Sequence, residues 1–365
     1  MLLLLSSLTL VACSTPVQGW AGPAISSNMA YIVTQGEKVQ ALNLDARSRG
    51  EAFPASTEWQ FPPESDKKIG PAYATPVLSG GALYVGIYCV TCPNGSGKVS
   101  AIEAATGRQI WEHAFGGTAA QVVGSPTVVG DTVYVGASNN YMYALDASSG
   151  AEKWKFQAGN KIWAGVASDG ANKIMVASLD HNVYALDREK GTLLWTFKTG
   201  GSIASTPLLR GGILYFGSAD GKLYAVDVAS GESKWEFNAG SWLWGSPLLD
   251  NGVLYVGSLD AQVYALDTAT GARKWSQPFR TGGPISATPV MVSGVLAVGA
   301  QDGRVYGLDP ATGQQKWVYT ADPSGAIFAS LTDDGSTLYV MPFNQRLVAL
   351  EGKTGTPKWS YKTGG

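Results

Sequence analysis

Apolar and polar residues alternate with a period of two along most of the chain, and short turns separate the alternating runs. One well-marked stretch predicts a strand over 252–257, a turn at 260–261, a second strand over 262–266 and a third that begins at 274–276. A shorter strand precedes such stretches where a small residue is followed by Ser or Thr and then Pro, as at Ser205, Thr206 and Pro207. The pattern therefore predicts four short antiparallel strands in each stretch, and no helices.

The stretch recurs eight times, and a tryptophan marks each copy. The intervals between these tryptophans are 52, 43, 41, 40, 40, 42 and 42 residues. The tryptophans are Trp59, Trp111, Trp154, Trp195, Trp235, Trp275, Trp317 and Trp359. Eight repeats of four antiparallel strands predict an all-β fold, an eight-bladed β-propeller. Each blade takes its strands from one contiguous segment, so we expect the ring to close without a shared strand.

Glycines and acids recur with the tryptophans, at four and eight residues before them in seven of the eight copies. Between the third and fourth strands, Asp-x-x-Ser/Thr-Gly suits a tight turn in which the carboxylate accepts from backbone amides and Gly adopts positive φ. The tryptophan offers a large apolar surface that can pack between neighbouring sheets, with an indole N–H that needs an acceptor. We therefore assign these residues to folding, and predict no catalytic residue among them.

Composition narrows the classes of function. The 365 residues include 46 Gly and 12 Trp, which is typical of a turn-rich β protein. The net charge of −2 leaves no overall electrostatic footprint for nucleic acid or anionic lipid. With two His and three Cys, the usual ligands of a zinc site are nearly absent, and we predict no metal site.

The N-terminus has the features of an export signal. Residues 2–12 form an apolar run that is too short to span a membrane but suits a signal peptide. Leu10, Val11, Ala12 and Cys13 resemble the lipobox of bacterial lipoproteins, which implies lipidation of Cys13. We predict a signal peptide over 1–12, a tether over 13–19 and the propeller over 20–365. Seven residues from Cys13 to Trp20 reach at most roughly 25 Å. The alternative is that the run is a buried first strand.

The repeated Ala-x-Asp-x-x-x-Gly-x-x-x-Trp resembles the tryptophan-docking repeat of the pyrroloquinoline-quinone propeller family, from Trp20 to the end of the chain. In that family each Trp packs on the turn of a neighbouring blade. The resemblance implies the fold, whereas it implies much less about activity. Quinone enzymes of the family hold Ca2+ and an Asp base, and often a disulfide between adjacent cysteines.

The chain departs from those enzymes in its cysteines and in its nearly bare repeats. Cys89 and Cys92 are separated by two residues, and in an exported protein we expect them to form a small disulfide. The alternative is a redox CxxC, which would be expected at a helix N-terminus. We predict that the protein is not an enzyme and has no cofactor, with a quinone- or small-molecule-binding propeller, dehydrogenase-like or sensory, as the alternative.

Within the family, the lipobox, the bare eight-bladed body and the length are similar to lipoproteins of the outer-membrane β-barrel assembly machinery. That similarity implies a non-catalytic, monomeric, protein-binding scaffold of the cell envelope. Its partners would be envelope proteins, including that machinery, and its lipid would hold it to the membrane. It would lie on the periplasmic side of the outer membrane, or on the outer face of the cell membrane if there is no outer membrane.

Aromatic residues break the eightfold pattern three residues before the Pro position of the innermost strands. Five of the eight positions are aromatic, and they should cluster at one mouth of the central channel with Trp242 nearby. These candidate partner-binding residues are Trp20, Tyr73, Trp163, Trp242, Trp244 and Phe328. Exposed aromatics at a channel mouth suit docking of an extended or apolar partner segment. The alternative is that they fill the axis as core.

Overall fold

The computed structural model describes residues 21–26, 28–34, 37–44, 57–64, 68–88, 97–116, 120–321, 325–343 and 346–363. These residues form eight sheets of four antiparallel strands, arranged as an eight-bladed β-propeller. Each sheet contains four strands that are consecutive in the chain, from β1–β4 in blade one to β29–β32 in blade eight. The predicted fold class is therefore confirmed.

The strands fall into four rings around the axis. Six of the eight innermost strands directly follow the recurring Pro, and innermost strands of neighbouring blades contact one another, for example those of blades one and two. They are β1 Ala24–Ser26, β5 Val77–Ser79, β9 Thr127–Val129, β13 Val166–Ser168, β17 Leu208–Arg210, β21 Leu248–Asp250, β25 Val290–Val292 and β29 Thr332–Asp333. The second strands are β2 Met29–Val33, β6 Ala82–Tyr88, β10 Thr132–Gly136, β14 Lys173–Ala177, β18 Ile213–Gly217, β22 Val253–Gly257, β26 Val295–Gly299 and β30 Thr337–Val340.

The third strands share the buried centre of each blade with the second strands. They are β3 Val39–Asn43, β7 Gly97–Glu103, β11 Tyr141–Asp146, β15 Asn182–Asp187, β19 Lys222–Asp227, β23 Gln262–Asp267, β27 Arg304–Leu308 and β31 Arg346–Glu351. The outermost strands are β4 Thr57–Phe61, β8 Gln109–Ala114, β12 Glu152–Gln157, β16 Leu193–Lys198, β20 Ser233–Asn238, β24 Phe279–Arg280, β28 Gln315–Thr320 and β32 Pro357–Lys362.

The core consists of side chains packed between neighbouring sheets. Valine, leucine and isoleucine of the second and third strands are fully buried there, since both faces of each inner strand meet another blade. The outermost strands expose alternate residues and form the rim of the disc. The alternating pattern of the sequence therefore belongs to the rim, and the near-continuous apolar runs belong to the buried strands.

The outermost strand of blade six corrects a prediction. The sequence places its start at 274–276, but the strand is Phe279–Arg280, and before it only Arg273 bridges to the third strand. In blade five Phe237 stands two residues after its Trp, whereas in blade six Phe279 stands four residues after Trp275. The two extra residues and Pro278, which has no N–H to donate to the ladder, interrupt the strand.

The ring closes through side chains. Ile32 and Leu42 of blade one pack against Tyr339 and Leu347 of blade eight. The Thr332 hydroxyl donates to the Pro23 carbonyl at 3.0 Å, next to this packing. In the described part of the chain no strand is exchanged between the first and last blades, as expected from the contiguous repeats.

Candidate docking site at the channel mouth

In blades one to six, the repeat tryptophan ties the blade to the next one. The indole lies on the turn between the third and fourth strands of the following blade, and its N–H donates to the carbonyl of the residue after the turn acid. In blade five, Trp235 Nε1 lies 2.9 Å from the carbonyl oxygen of Thr268. Equivalent bonds of 2.9–3.0 Å are made by Trp59, Trp111, Trp154, Trp195 and Trp275.

The turn that receives the indole is built around its acid and its glycine. Asp267 Oδ1 accepts from the amides of Ala269 and Thr270, both at 3.1 Å. These bonds to the charged form lower the pKa of Asp267, as does the bond from the Thr270 hydroxyl, which is the largest cause. Gly271 has a φ of 70°, and a Cβ there would lie 2.6 Å from the ring of Trp235. The turn therefore needs glycine for its backbone and for its contact with the indole.

The disc has two unlike faces. At the linker face, the outermost strand of one blade leads to the innermost strand of the next, and the second and third strands are joined. At the turn face, the first and second strands are joined, and the tryptophan-bearing turns project. Residues of the linker face that precede each innermost strand line one mouth of the central channel. The repeated turn acids lie on the opposite side of the disc from this mouth.

Hydroxyl groups line the channel just inside the mouth. They belong to the Ser or Thr before the recurring Pro and, in blade eight, to Ser330, which precedes Leu331 at the equivalent position. We call Thr75, Thr206, Thr288 and Ser330 the hydroxyl collar. Each accepts from a backbone amide of the preceding blade at 2.9–3.4 Å, as Thr206 Oγ1 does from Gly165. The bond leaves the hydroxyl proton of each collar residue available to other acceptors.

Two of the predicted aromatic residues meet at the mouth. The rings of Trp163 in blade four and Trp244 in blade six lie 6.3 Å apart at 50°, with Ala204 at the equivalent position of blade five between them. Trp163 Nε1 donates to the Ser138 hydroxyl at 2.9 Å, which holds the ring in place. Lys161 Nζ lies 5.6 Å from the centre of the same ring, within the range of a cation–π contact.

Trp242 is the most exposed aromatic residue described at the mouth. Its side chain is 47% exposed, although its carbonyl accepts from the amide of Leu259 at 2.9 Å and so fixes its backbone. Trp163 and Trp244 are half-buried. An exposed indole on a backbone held by a hydrogen bond, two residues from the half-buried Trp244, offers apolar surface to a partner segment, as the aromatic anchors of binding hot spots do.

The other predicted residues lie in different surroundings. Phe328 of blade eight packs edge-on against Phe343 at 5.7 Å and forms a second aromatic pair, with Phe343 36% exposed. Tyr73 is half-buried on blade two. Trp20 lies outside the described residues, as do Cys13, Cys89 and Cys92. The structure thus brings Trp163 and Trp244 into contact and places Phe328 in a separate pair.

A second repeated pair was missed by the sequence reasoning. In blades four to seven an Asp of the hairpin between the second and third strands accepts from the hydroxyl of a Tyr four residues later. The distances run from 2.5 Å in Asp302–Tyr306 to 2.8 Å in Asp260–Tyr264. Burial, and then this bond to Asp180, raise the pKa of Tyr184 to about 12. The recurring Asp-x-x-x-Tyr is the signal that could have identified the pair.

The chemistry of the mouth is that of a binding surface. Its described residues are aromatic, and those of the collar carry hydroxyls; neither set contains a carboxylate. Within the described ranges, no group of three or more His, Cys, Asp or Glu is placed to hold a metal ion. In the same ranges we find no helix with the length and apolar character needed to cross a membrane. These residues do not fit the Ca2+ and quinone of the related enzymes, and we derive no step through that group.

Comparison with known proteins places the repeat in a family. The sequence matches the family described as outer membrane protein assembly factor BamB over residues 55–169, 158–241 and 236–365. A stretch of 63 residues is 36% identical to the outer membrane protein assembly factor BamB of Burkholderia pseudomallei strain K96243. That stretch covers 17% of this chain and 16% of the relative, so the match spans only a small part of the relative's length.

Solved structures share the architecture. BamB from Moraxella catarrhalis superposes with a TM-score of 0.71 at 20% identity, covering 93% of this chain and 96% of that one. The computationally designed Ika8 protein superposes with a TM-score of 0.71 at 14% identity, covering 95% of this chain and 98% of that one. At these identities the likeness concerns the fold, and a designed protein shares it equally well.

Proposed function

Because the chain belongs to the family of the outer membrane protein assembly factor BamB, we propose that it is a non-catalytic envelope scaffold that docks a component of the barrel-assembly machinery. The docking site is the channel mouth. The observation that supports this proposal most directly is the exposure of Trp242, which stands two residues before Trp244 of the Trp163–Trp244 pair. Aromatic side chains that are rigid in the free protein bind at a low cost in conformational entropy.

The proposal includes a lipid anchor. Cys13 would be lipidated after removal of residues 1–12, and two or three acyl chains would hold the protein stably to a membrane. The protein would then lie on the periplasmic side of the outer membrane, or on the outer face of the cell membrane where there is no outer membrane. Cys89 and Cys92 would form the disulfide of a surface loop. We also propose that the protein acts as a monomer.

The test measures binding of the purified periplasmic domain of the barrel-inserting subunit from the same organism. Trp242→Ala and Trp244→Ala should each weaken binding by about tenfold or more, as expected when a central aromatic contact of at least 2 kcal/mol is removed. Leu194→Ala is the matched control, because Leu194 is also 47% exposed but lies on the rim. Equal affinity of all three variants and the wild type would refute docking at the mouth.

A second measurement separates this proposal from a small-molecule site. Pyrroloquinoline quinone with Ca2+ is added to the purified protein, and absorbance and melting temperature are followed. The scaffold proposal predicts no saturable change in either. A saturable new absorbance band that Trp163→Ala abolishes would instead assign the mouth to a quinone.

A further inference from the structure

The linker face differs from the turn face in exposed charge, although the overall charge of −2 hides the difference. On the turn face, outer-strand lysines lie close to the turn acids, for example Lys316 Nζ at 3.0 Å from Asp309. Similar pairs join Lys153 to Asp146, Lys234 to Asp227, Lys274 to Asp267 and Lys358 to Glu351. These pairs neutralise the cations of the turn face locally.

Several exposed cations lie near the linker face. They are Lys68, Lys161, Lys198, Arg280, Arg304, Arg346 and Lys362. Two of them have an acid nearby, since Lys68 lies 4.0 Å from Glu37 and Arg304 lies 3.9 Å from Asp302. Of the acids on this face, Glu64 is exposed, whereas Asp180, Asp220, Asp260 and Asp302 are half-buried and accept from tyrosine hydroxyls. Exposed cations are attracted to an anionic lipid surface.

The large exposed aromatic residues lie on the linker face. Among the described residues, the large exposed apolar ones lie either on outermost strands, as do Ile110, Leu193, Leu194 and Val318, or on the linker face, as do Trp242 and Phe343. Ile110, Leu193 and Leu194 stand at the turn-face ends of their strands, so apolar exposure in general does not distinguish the two faces. Trp242 and Phe343 are the two aromatic ones.

The chain enters the propeller at the mouth. Gly22 donates its amide to Thr75 Oγ1 of blade two at 3.0 Å, and the Pro23 carbonyl accepts from Thr332 Oγ1 of blade eight at 3.0 Å. The first described residues are therefore held between two blades beside the axis. Ala21, the first described residue, therefore lies on the linker face.

The distance from Cys13 to this point limits how the disc can sit on a membrane. Ala21 stands eight residues after Cys13, and these eight steps span at most ~28 Å at ~3.5 Å each. A path around the rim, from the innermost strand to the turn face, crosses three strand spacings, ~14 Å, and then runs along a six-residue outer strand, ~20 Å. The total of ~34 Å exceeds that reach. A lipidated Cys13 therefore cannot reach a bilayer at the turn face by a path around the rim.

We infer that the linker face is held toward the bilayer, so that the channel mouth opens into the space between the disc and the lipid. This inference rests on the lipid anchor of the proposed function and deepens it. The occupant of the mouth is then a membrane-proximal segment of a membrane-embedded partner. Such a segment reaches Trp242 from the bilayer side, and the mouth is not open to large partners that approach from the aqueous side.

The orientation can be measured on the full-length lipidated protein in vesicles of phosphatidylethanolamine and phosphatidylglycerol at 3:1. Cys89 and Cys92 are both replaced by Ser, and a single cysteine is introduced by Asn160→Cys on the linker face or Ala229→Cys on the turn face. Both positions are exposed. A donor dye on each cysteine reports energy transfer to an acceptor lipid in the bilayer.

Transfer from position 160 should be about twofold more efficient than from position 229, because the disc is ~20 Å thick along a six-residue strand. A flexible insertion of twenty Gly and Ser residues after Ser14 should abolish most of this difference. Equal transfer from both positions without the insertion would mean that the disc stands on its rim and would overturn the inference. Stronger transfer from position 229 would overturn it as well.

The mass of the N-terminal peptide is measured first, because an unlipidated Cys13 removes the premise and also overturns the inference. The binding test with Trp242→Ala uses soluble protein and gives its result whatever the orientation. Failure of the orientation and failure of docking at the mouth are therefore distinguishable.

Discussion

The interface between blades five and six and the interface between blades seven and eight use the same tryptophan in different ways. In the former, the carbonyl of Thr268 accepts from Trp235 Nε1 at 2.9 Å and from the Tyr215 hydroxyl at 3.3 Å. In the latter, Trp317 is buried at 8% exposure, and its Nε1 is the one buried side-chain donor without a partner among the described residues. We call the interface between blades seven and eight the seam.

Three small residues explain why Trp317 packs differently at the seam. Ala297 stands where blade five has Tyr215, and Gly307, which pairs with Trp317, stands where Ala225 pairs with Trp235. A Cβ on Gly307 would lie 2.0 Å from Cε2 of Trp317, so the indole occupies space that alanine fills elsewhere. Gly352 follows the turn acid, in the position of Thr268. The comparison teaches that the motif preserves packing of the indole even where its hydrogen bond is lost.

Removing the indole has the largest expected effect on both interfaces. Trp235→Ala should lower the free energy of unfolding by about 3–5 kcal/mol, the usual cost of truncating a tryptophan that packs in a core or interface. Trp317→Ala should cost less, near the lower end of that range, because no hydrogen bond is lost with the ring. Urea unfolding followed by circular dichroism measures both. A larger loss for Trp317→Ala than for Trp235→Ala would contradict the difference between the interfaces.

Adding a methyl group at the seam should also be destabilising. Gly307→Ala forces the new Cβ against Trp317 and should cost about 1–3 kcal/mol, as overpacking usually does. The control is the reciprocal change Ala225→Gly in blade five, which should cost about 0.5–1 kcal/mol through backbone entropy alone. If Gly307→Ala instead raises the unfolding midpoint, the indole can turn and regain an acceptor, and our account of the seam is wrong.

Conservative replacement of the indole isolates the hydrogen bond. Trp235→Phe leaves Thr268 with the longer bond from Tyr215 only, whereas Trp317→Phe removes a buried donor that has no partner. Trp235→Phe should therefore cost about 1–2 kcal/mol more than Trp317→Phe. Equal losses in the unfolding experiment would show that Trp317 Nε1 is satisfied in solution.

Alkaline pH should weaken the regular interface between blades six and seven. Burial, and then the charges of Asp250 and Asp309, raise the pKa of Tyr255 to about 12. An unfolded phenol titrates near 10, so the neutral folded form contributes stability below pH 10 that is lost as pH rises through about 12. Tyr255→Phe should lose less stability than the wild type between pH 8 and pH 11.5. Trp317→Phe should keep the wild-type dependence, because it leaves Tyr255 and the other buried phenols in place.

The regular parts of this molecule could be predicted from the sequence because each repeated residue has a local reason. An acid four residues before a glycine specifies a turn by hydrogen bonds to nearby amides, and seven such turns at regular spacing, together with eight tryptophans, specify the ring. The outermost strand of blade six was predicted wrongly, although Pro278 and the two extra residues before Phe279 indicate that the strand is interrupted.

The seam and the mouth depend on contacts between distant residues, which periodicity does not encode. Gly307 differs from its counterparts by one methyl group, and only the position of Trp317 shows what that methyl excludes. At the mouth, the contact between Trp163 and Trp244 depends on the small Ala204 in the blade between them. The Asp180–Tyr184 hydrogen bond could have been predicted from the sequence, since its four-residue spacing recurs in four neighbouring blades.

Because the ring closes without an exchanged strand, the two chain ends could lie in any linker between blades. From blade one to blade seven, each blade packs its indole on the turn of the following blade, and the first and last blades meet through side-chain packing. A circular permutant that joins the present ends and opens any linker would retain the sheets intact. The architecture therefore does not determine which blade carries the N-terminus. Moving the N-terminus to another blade would change the orientation of the disc relative to its anchor and would leave every interface between blades unchanged.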